Sequence, residues 1–368
     1  MRVRSAVVVG AGVVGASAAY RLAARGVSVT VLEAGEPAGE TSSRSFAWLN
    51  GNHKPPLVYQ RLNQDGVEAH RRLRDELGRA PWLYESGALR FALDDSAAET
   101  LIRHTERLRS EGYPAEVIDA ERARQIEPRV QFGDAKAFAY FPREGWAHGP
   151  TMVRTLLGSA REKGAHVLTG TPATGLDPRR DGVRATTPGE AFEADVAVIA
   201  AGRFTDQVAA LASVRVPLRP TCGLLAVTSP LAEPPRVVVH AADVHWRPEP
   251  DGRLVIQDDE TDEMVGPDTH ESPELPACAI LLERARRFIP ALADARIEAA
   301  RVGIRPMPED GYPIVGRVPG VESIYLMVTH SGMTLSAVLG EVAAAELVDG
   351  QLDERLAAFR PDRYLSRR

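Results

Sequence analysis

The chain has 368 residues, of which 44% are hydrophobic, 26% charged and 6% aromatic, and its formal net charge is −6. This balance is typical of a globular enzyme and excludes a disordered chain, a fibrous protein and a disulfide-stapled miniprotein. The sequence has no Lys/Arg run, so we expect no nucleic-acid partner. Two distant cysteines and histidines without metal-ligand spacing predict no metal site, and they favour a reducing, cytoplasmic location.

The first 20 residues are open to two interpretations. Their basic start and apolar run resemble a secretory signal. Alternatively, the β-branched run Val7–Val9 forms a buried strand, and residues 10–15 match G-x-G-x-x-G before a helix. A second strand is then predicted over Val27–Leu32, with Glu33 at its end. This register favours the first βαβ unit of a dinucleotide-binding domain.

Each residue type in this unit has a physical role. Gly10 permits a tight turn, Gly12 lets a pyrophosphate approach the backbone, and Gly15 lets the helix pack against the strand. The helix N-terminus offers free N–H groups to phosphates, and Glu33 accepts hydrogen bonds from ribose hydroxyls. The predicted cofactor-binding residues of this unit are Gly10, Gly12, Val13, Val14, Gly15, Glu33 and Ala34.

A small, hydroxyl-rich loop follows the second strand. It contains Thr41, Ser42, Ser43 and Arg44. It is either an ordinary surface turn or, as we expect, a segment that lies along the pyrophosphate and the isoalloxazine ring of a flavin.

A second strand and helix pair is predicted near the C-terminus. Residues 323–328 form a buried strand, residues 329–332 turn, and residues 333–348 have helical apolar spacing. A helix N-terminus favours negative charge, which suits the N1–C2=O edge of a reduced flavin. Two helix beginnings, far apart in the chain, are therefore predicted to bind opposite ends of one cofactor.

The sequence lacks the motifs of several other enzyme classes. No glycine-rich loop ends in Gly-Lys-Ser/Thr, which excludes a P-loop hydrolase, and no G-x-S-x-G elbow supports a hydrolase triad. A flavin monooxygenase or NAD-dependent reductase would need a second nicotinamide fingerprint, and the sequence has none.

Motifs across nearly the whole chain resemble one family, the FAD-dependent amino acid oxidoreductases that include D-amino acid oxidase, glycine oxidase, sarcosine oxidase and D-amino acid dehydrogenase. Besides the first βαβ unit, the similar segments are Thr41-Ser42 with Ser45-Phe46-Ala47, DVAVIAAG at 195–202, GIRPM at 303–307, DGYPIVG at 310–316, HSGM at 330–333 and AFRPDR at 358–363.

The resemblance implies an α/β fold with a Rossmann-like FAD-binding domain of the glutathione-reductase type and a discontinuous antiparallel-sheet substrate domain. The expected FAD-binding domain comprises residues 1–80, 146–218 and 303–368. The expected substrate domain comprises residues 81–145 and 219–302. Further elements predicted are helices at 151–163 and 275–289 and strands at 166–170, 195–200, 223–228, 236–240 and 253–257.

The resemblance also implies the cofactor and its contacts. FAD is expected to be non-covalent, because the cysteine that sarcosine oxidases use is absent from residues 302–304. Sarcosine oxidase also has a lysine near the start of the last helix, where this chain has Thr334. The further cofactor-binding residues are Ala173, Ala201, Gly202, Gly303, Gly332, Met333 and Thr334.

The implied reaction is oxidation of the C–N bond of a small amino acid or N-alkyl amino acid. A hydride moves to flavin N5, the imine is hydrolysed, and oxygen or another acceptor takes the electrons. The alternatives are a tailoring oxidase of a cyclic or carrier-bound amine and a non-catalytic flavin-binding subunit. Peripheral membrane association and a homo-oligomer are left open.

Three residues are assigned to the catalytic site. Arg305 is the expected carboxylate anchor, because a guanidinium binds a carboxylate through two charge-assisted hydrogen bonds. Pairing of Arg305 with Glu309 or Asp310 is the alternative. Arg44 and His330 are the other candidates, each with a surface or supporting role as the alternative. The residues His53, Lys54 and His245 fall in segments that reach the same cleft, although packing or solvated roles are commoner for them. Trp48 is expected either to form a wall over the flavin or to pack in the core.

Overall fold

The computed structural model describes residues 3–364, apart from the side chain of Pro220. The strands are β1 Ser5–Val9, β2 Ser28–Leu32, β3 Trp48–Leu49, β4 Leu83–Tyr84, β5 Ala88–Ala92, β6 Glu116–Ile118, β7 Ala137–Phe141, β8 Gly145–Ala147, β9 His166–Leu168, β10 Gly175–Arg179, β11 Gly182–Thr186, β12 Ala191–Ala194, β13 Val196–Ile199, β14 Leu218–Thr228, β15 Val238–His240, β16 His245–Pro248, β17 Leu254–Gln257, β18 Ile297–Pro308, β19 Ile314–Val318 and β20 Val321–Val328.

The α-helices are α1 Val13–Ala24, α2 Leu57–Glu76, α3 Asp95–Ser110, α4 Ala120–Ile126, α5 Gly149–Glu162, α6 Thr205–Ala210, α7 Asp259–Asp262, α8 Pro276–Arg286 and α9 Gly332–Asp349. Short 3-10 helices lie at Gly202–Phe204, Pro290–Leu292, Glu354–Phe359 and Pro361–Arg363.

The first large sheet has six strands in the order β19-β20-β13-β1-β2-β9. All neighbours are parallel except the edge strand β19, which is antiparallel to β20. The β1 strand is almost fully apolar and buried, as expected of a strand covered on both faces. The carboxyl ends of β1, β2, β13 and β20 therefore meet at one edge, where ligands bind in doubly wound sheets.

Helices α1, α2, α5 and α9 contribute to one apolar core on this sheet. Helix α9 is buried on nearly all sides, which explains its almost uniformly apolar sequence. It crosses α1 closely, because a Cβ on Gly340 would lie 2.3 Å from Ser17 Oγ.

The second large sheet has eight strands in the order β18-β14-β17-β16-β15-β5-β7-β6. Its pairings are antiparallel apart from β15 with β5. A separate apolar core lies between this sheet, α8 and the loops around it. Two three-stranded sheets, β10-β11-β12 and β3-β8-β4, complete the strand pairing.

The predicted mixed α/β fold class, with a parallel sheet and an antiparallel one, is confirmed. Helices α3 and α4 lie in residues 81–145, which were expected to belong to an antiparallel-sheet domain. Strand β14 begins at Leu218, before the predicted 223, because it pairs with β18 along its whole length. Strand β18 also runs through residue 303, where we expected a boundary, so the division into domains stays a prediction. Within residues 3–364, no helix is long and apolar enough to cross a membrane.

Candidate active site

A cavity of about 720 Å³ lies at the carboxyl edge of the parallel sheet, and we call it the nucleotide cavity. The ends of β1, β2, β13 and β20, the loop at residues 38–45 and the beginnings of α1 and α9 surround it. Of the predicted residues, those lining it are Gly10, Gly12, Val13, Val14, Glu33, Ala34, Thr41, Ser42, Ala173, Ala201, Gly202, His330, Gly332 and Met333.

The glycines of the first turn are required by close contacts. Gly10 has a φ of +104°, and a Cβ there would lie 2.6 Å from the carbonyl oxygen of Ala200. A Cβ on Gly15 would lie 1.9 Å from the carbonyl oxygen of Gly10, so only glycine lets α1 pack this closely against the turn. Gly15 itself does not line the cavity. The only atom within 4 Å of an ideal Cβ on Gly12 is Ser42 Oγ, at 3.1 Å. The backbone at Gly12 therefore leaves room for a phosphate.

Glu33 connects the ends of β1 and β2. Its Oε2 accepts a hydrogen bond from the Ala11 N–H at 2.7 Å, and its Oε1 accepts one from the Gly35 N–H at 2.8 Å. Ser42 Oγ accepts from the Val13 N–H at 3.1 Å, so a hydroxyl already occupies the beginning of α1. Both side chains order the backbone that surrounds a bound dinucleotide.

We expect Glu33→Gln to weaken dinucleotide binding about tenfold. The amide keeps one acceptor oxygen, so one of the two backbone N–H groups loses a charge-assisted bond, a contribution of about 1.5–3 kcal/mol. Fluorescence titration of the apoprotein with FAD measures this. Glu162→Gln, an exposed change on α5, is the control, and equal affinity in both variants would contradict the role of Glu33.

A second cavity, of about 520 Å³, adjoins the first, and we call it the substrate cavity. Both cavities share Thr41, Ser45, His330 and Met333, so they meet at the beginning of α9. The inner face of the eight-stranded sheet forms much of its wall. Four other residues assigned to the site, Arg44, Gly303, Arg305 and Thr334, line this cavity and not the nucleotide cavity.

Arg305 lines the substrate cavity but already has an ionic partner. Its Nη2 donates to Asp262 Oδ2 at 2.5 Å, and its Nη1 donates to the Cys222 carbonyl at 3.0 Å. The Asp262 carboxylate also accepts from the Leu224 N–H at 2.7 Å. Asp262, and neither Glu309 nor Asp310, is therefore the partner of Arg305. Gly223 makes room for the guanidinium, because a Cβ there would lie 2.4 Å from Nη2.

Arg44 forms an ion pair at the rim. Its Nε donates to Glu271 Oε1 at 2.9 Å, and its Nη1 donates to the Gly39 carbonyl. It lines the substrate cavity and a third cavity of about 370 Å³, which Ser43 also lines. Gly303 permits the approach of this loop, because its Cβ would lie 2.3 Å from the Arg44 carbonyl oxygen. Thr334 is buried, and its hydroxyl donates to the Trp48 carbonyl at 3.3 Å.

Two basic side chains join Arg305 in the substrate cavity. Arg90 comes from β5 and Lys54 from the loop before α2. Lys54 Nζ donates to Ser331 Oγ at 3.1 Å. Burial lowers the pKa of Lys54 to about 8, and it raises the pKa of the nearby Glu144 carboxyl to about 8. Burial therefore shifts both groups toward their neutral forms.

The cavity histidines are neutral at ordinary pH. Burial, together with neighbouring cations, lowers the pKa of His53 and of His330 to about 3. It also lowers the pKa of His240 and His245. Sequence reasoning named His53, Lys54 and His245 as residues that reach the cleft, but it missed Arg90 and His240. A signal existed for Arg90, which is the only charged residue in the apolar strand Ala88–Ala92.

We expect binding of a small anion such as malonate to weaken roughly tenfold as the pH rises through 8. Lys54 loses its charge there while Glu144 gains one, and both changes disfavour an anion. The other groups around Lys54 are His53 and His330, which stay neutral above pH 5, and Tyr59, whose pKa is raised above 10. Calorimetry from pH 5.5 to 9.5 checks this. A change in malonate affinity centred near pH 6.5 would contradict this expectation, and so would an unchanged pH dependence of the affinity in Lys54→Met.

The nucleotide cavity fits FAD. It offers a phosphate cradle without a Cβ at Gly12, an acidic side chain at the end of β2, and the beginnings of two helices. Neither Cys222 nor Cys278 lines it, in keeping with a non-covalent cofactor. A parallel sheet with these features at its carboxyl edge, next to a polar cavity on a second sheet, defines a two-part flavoprotein oxidoreductase.

The FAD dependent oxidoreductase family called DAO matches residues 5–346, and the chain belongs to this family. It is an FAD-dependent oxidoreductase, as the sequence predicted. The chain is 28% identical to a glycine oxidase of Bacillus licheniformis, covering 97% of this chain and 96% of that protein. It is 26% identical to one of the opine oxidase subunits of Agrobacterium tumefaciens, covering 97% and 96%. A glycine oxidase structure from Geobacillus kaustophilus superposes with a TM-score of 0.86 at 24% identity, covering 100% and 99%.

Proposed function

We propose that this protein oxidises the C–N bond of an amino acid or N-alkyl amino acid and passes two electrons to FAD. The observation that carries the proposal is the opening between the two cavities at Thr41, Ser45, His330 and Met333. A carboxylate held by the cations of the substrate cavity would place its own α-carbon toward this opening. The relatives named glycine oxidase and opine oxidase support an amine substrate that carries a carboxylate.

The reaction balances as a two-electron oxidation. The substrate carbon gives up a hydride and the nitrogen gives up a proton, leaving an imine. Water then adds to the imine and releases a carbonyl compound and an amine. Bound FAD supplies the two-electron acceptor, and oxygen or another acceptor removes the electrons afterwards.

The side chains of this chain serve binding and orientation. We infer that Arg305, held in place by Asp262 and by the Cys222 carbonyl, orients the substrate carboxylate. His330 lies where the cavities meet, and its lowered pKa keeps the imidazole neutral beside the reacting amine. Arg44 is engaged with Glu271, so we infer that it orders the loop at residues 38–45. We propose that residues 1–80, 146–218 and 303–368 form the FAD-binding domain and residues 81–145 and 219–302 the substrate domain, with Arg305 reaching the substrate cavity from the FAD-binding domain.

Anaerobic mixing of the holoenzyme with a panel of amines tests the proposal. The panel contains glycine, D- and L-amino acids, sarcosine, other N-alkylglycines, proline and N-carboxyalkyl amino acids. We expect at least one carboxylated amine to bleach the flavin absorbance near 450 nm, while the matching amine without a carboxylate does not. A flavin that stays oxidised with every amine would contradict the proposal and indicate a non-catalytic, flavin-binding protein. Bleaching only by cyclic or carrier-bound amines would indicate a tailoring oxidase.

A further inference from the structure

We propose that the substrate carries a second carboxylate, held by Arg90 on β5, across the substrate cavity from Arg305 on β18. The substrate class is then a secondary amine with a carboxylate on each nitrogen substituent, an N-carboxyalkyl amino acid. This inference rests on the proposed function and deepens it.

A polar row crosses four strands of the eight-stranded sheet. Arg90 on β5 is paired in register with His240 on β15, His240 with His245 on β16, and His245 with Gln257 on β17. Residues at matching register positions share one face of a sheet, and all four line the substrate cavity. A row of polar residues on an inner face, where apolar side chains are usual, points to a polar ligand.

The row contains buried groups without partners. His240 Nε2 and His245 Nδ1 are both buried and form no hydrogen bond with any described residue. Leaving a buried polar group unpaired costs about 1–3 kcal/mol. Both residues line the substrate cavity, although these two nitrogens themselves are closed off from it. The imidazoles are neutral, so each can donate from one nitrogen to a carboxylate oxygen without adding a charge.

The charges of the cavity are compensated on one side only. Arg305 is paired with Asp262, and Arg44 with Glu271. By contrast, Arg90 and Lys54 form no ion pair within residues 3–364. The carboxyl of the nearby Glu144 instead accepts from Trp48 Nε1 and from the Tyr113 hydroxyl, and burial raises its pKa. The carboxylate lining this cavity is Asp259, which is exposed. A partly buried cation without a counter-ion is costly, so an anionic ligand is the expected complement.

Arg90 and Arg305 enter the substrate cavity from well-separated strands. Arg90 lies on β5 and Arg305 on β18, with four strands between them. At about 4.8 Å per strand, their backbones are up to about 24 Å apart along the curved sheet. Lys54 donates to Ser331 Oγ near the beginning of α9, so we assign it to neither end of the substrate. An elongated substrate with a carboxylate at each end matches this arrangement.

Steady-state kinetics with matched substrate pairs tests the inference. Iminodiacetate, N-(2-carboxyethyl)glycine and N-(3-carboxypropyl)glycine are each compared with an N-alkylglycine of equal length. We expect kcat/KM to favour the best dicarboxylate at least 100-fold over its partner. Arg90→Gln should reduce this ratio at least tenfold, Arg90→Lys should restore part of it, and Arg103→Gln, an exposed change on α3, should leave it unchanged.

A binding measurement keeps the test independent of turnover. Glutarate and butyrate, which have no amine to oxidise, are titrated into the holoenzyme and followed by the perturbed flavin spectrum. We expect tighter binding of glutarate than of butyrate, and a smaller difference in Arg90→Gln. Amine oxidation without a preference for dicarboxylates, together with equal binding of the two acids, would overturn this inference alone. Absence of flavin reduction by every amine would instead overturn the proposed function.

Discussion

Gly15→Val is expected to yield a protein that purifies without its yellow colour and binds FAD at least 100-fold more weakly. A Cβ at this position would lie 1.9 Å from the carbonyl oxygen of Gly10 and 3.0 Å from its carbonyl carbon. Backbone atoms cannot yield as a flexible side chain does, so the turn that receives the phosphates must move away from the beginning of α1. The ratio of absorbance at 450 nm to that at 280 nm measures the loss.

Two companion variants separate cofactor binding from folding. Gly12→Val meets only Ser42 Oγ within 4 Å of its Cβ, so the chain should fold while the added side chain excludes the pyrophosphate. Gly158→Val, in α5, meets no atom within 4 Å and should stay yellow. A Gly12→Val protein with the melting temperature and the FAD content of the parent would contradict the assignment of the nucleotide cavity.

Arg305→Gln is expected to raise KM about 100-fold for every carboxylated substrate while the protein remains yellow. The change removes the charged group that we propose to hold the substrate carboxylate, and it leaves Asp262 without its ionic partner. Initial rates at saturating acceptor separate KM from kcat. Arg296→Gln, an exposed change before β18, is the matched control.

Gly223→Ala tests the same role without removing the charge. The new methyl would lie 2.4 Å from Arg305 Nη2, so the guanidinium must shift although both Arg305 and Asp262 are still present. We expect KM to rise less than in Arg305→Gln, with kcat nearly retained, and Arg305→Lys to recover part of the affinity. If KM is unchanged in Arg305→Gln for all amines, the Arg305–Asp262 pair has a structural role and does not bind the substrate.

Local patterns predicted the secondary structure around the nucleotide cavity. The strand, glycine turn, helix and Glu33 are adjacent in sequence, and the structure places them as expected, with β1 beginning at Ser5 and α1 ending at Ala24. The second helix beginning was also predicted correctly, because β20 and α9 follow one another directly. The predictions of the family, of FAD and of an oxidoreductase are confirmed. A cytoplasmic location stays a prediction, and both cysteines are free.

The substrate cavity was harder to predict because its residues meet across strands. Arg305 is 43 residues from Asp262, and a composition or spacing pattern does not indicate such a pairing. Arg90 and His240 become neighbours only through the parallel pairing of β5 with β15. Each of these strands is short and apolar apart from its one polar residue, so sequence reasoning predicts a strand but not the direction of its side chain.

The amount of carbonyl product formed per flavin reduced tests the central claim most directly. The holoenzyme is reduced anaerobically with a limiting amount of the best substrate of the panel, and the products are quantified. The account predicts one equivalent of carbonyl compound and one of amine for each flavin bleached. Bleaching without a carbonyl product, or product formed while the flavin stays oxidised throughout, would contradict it.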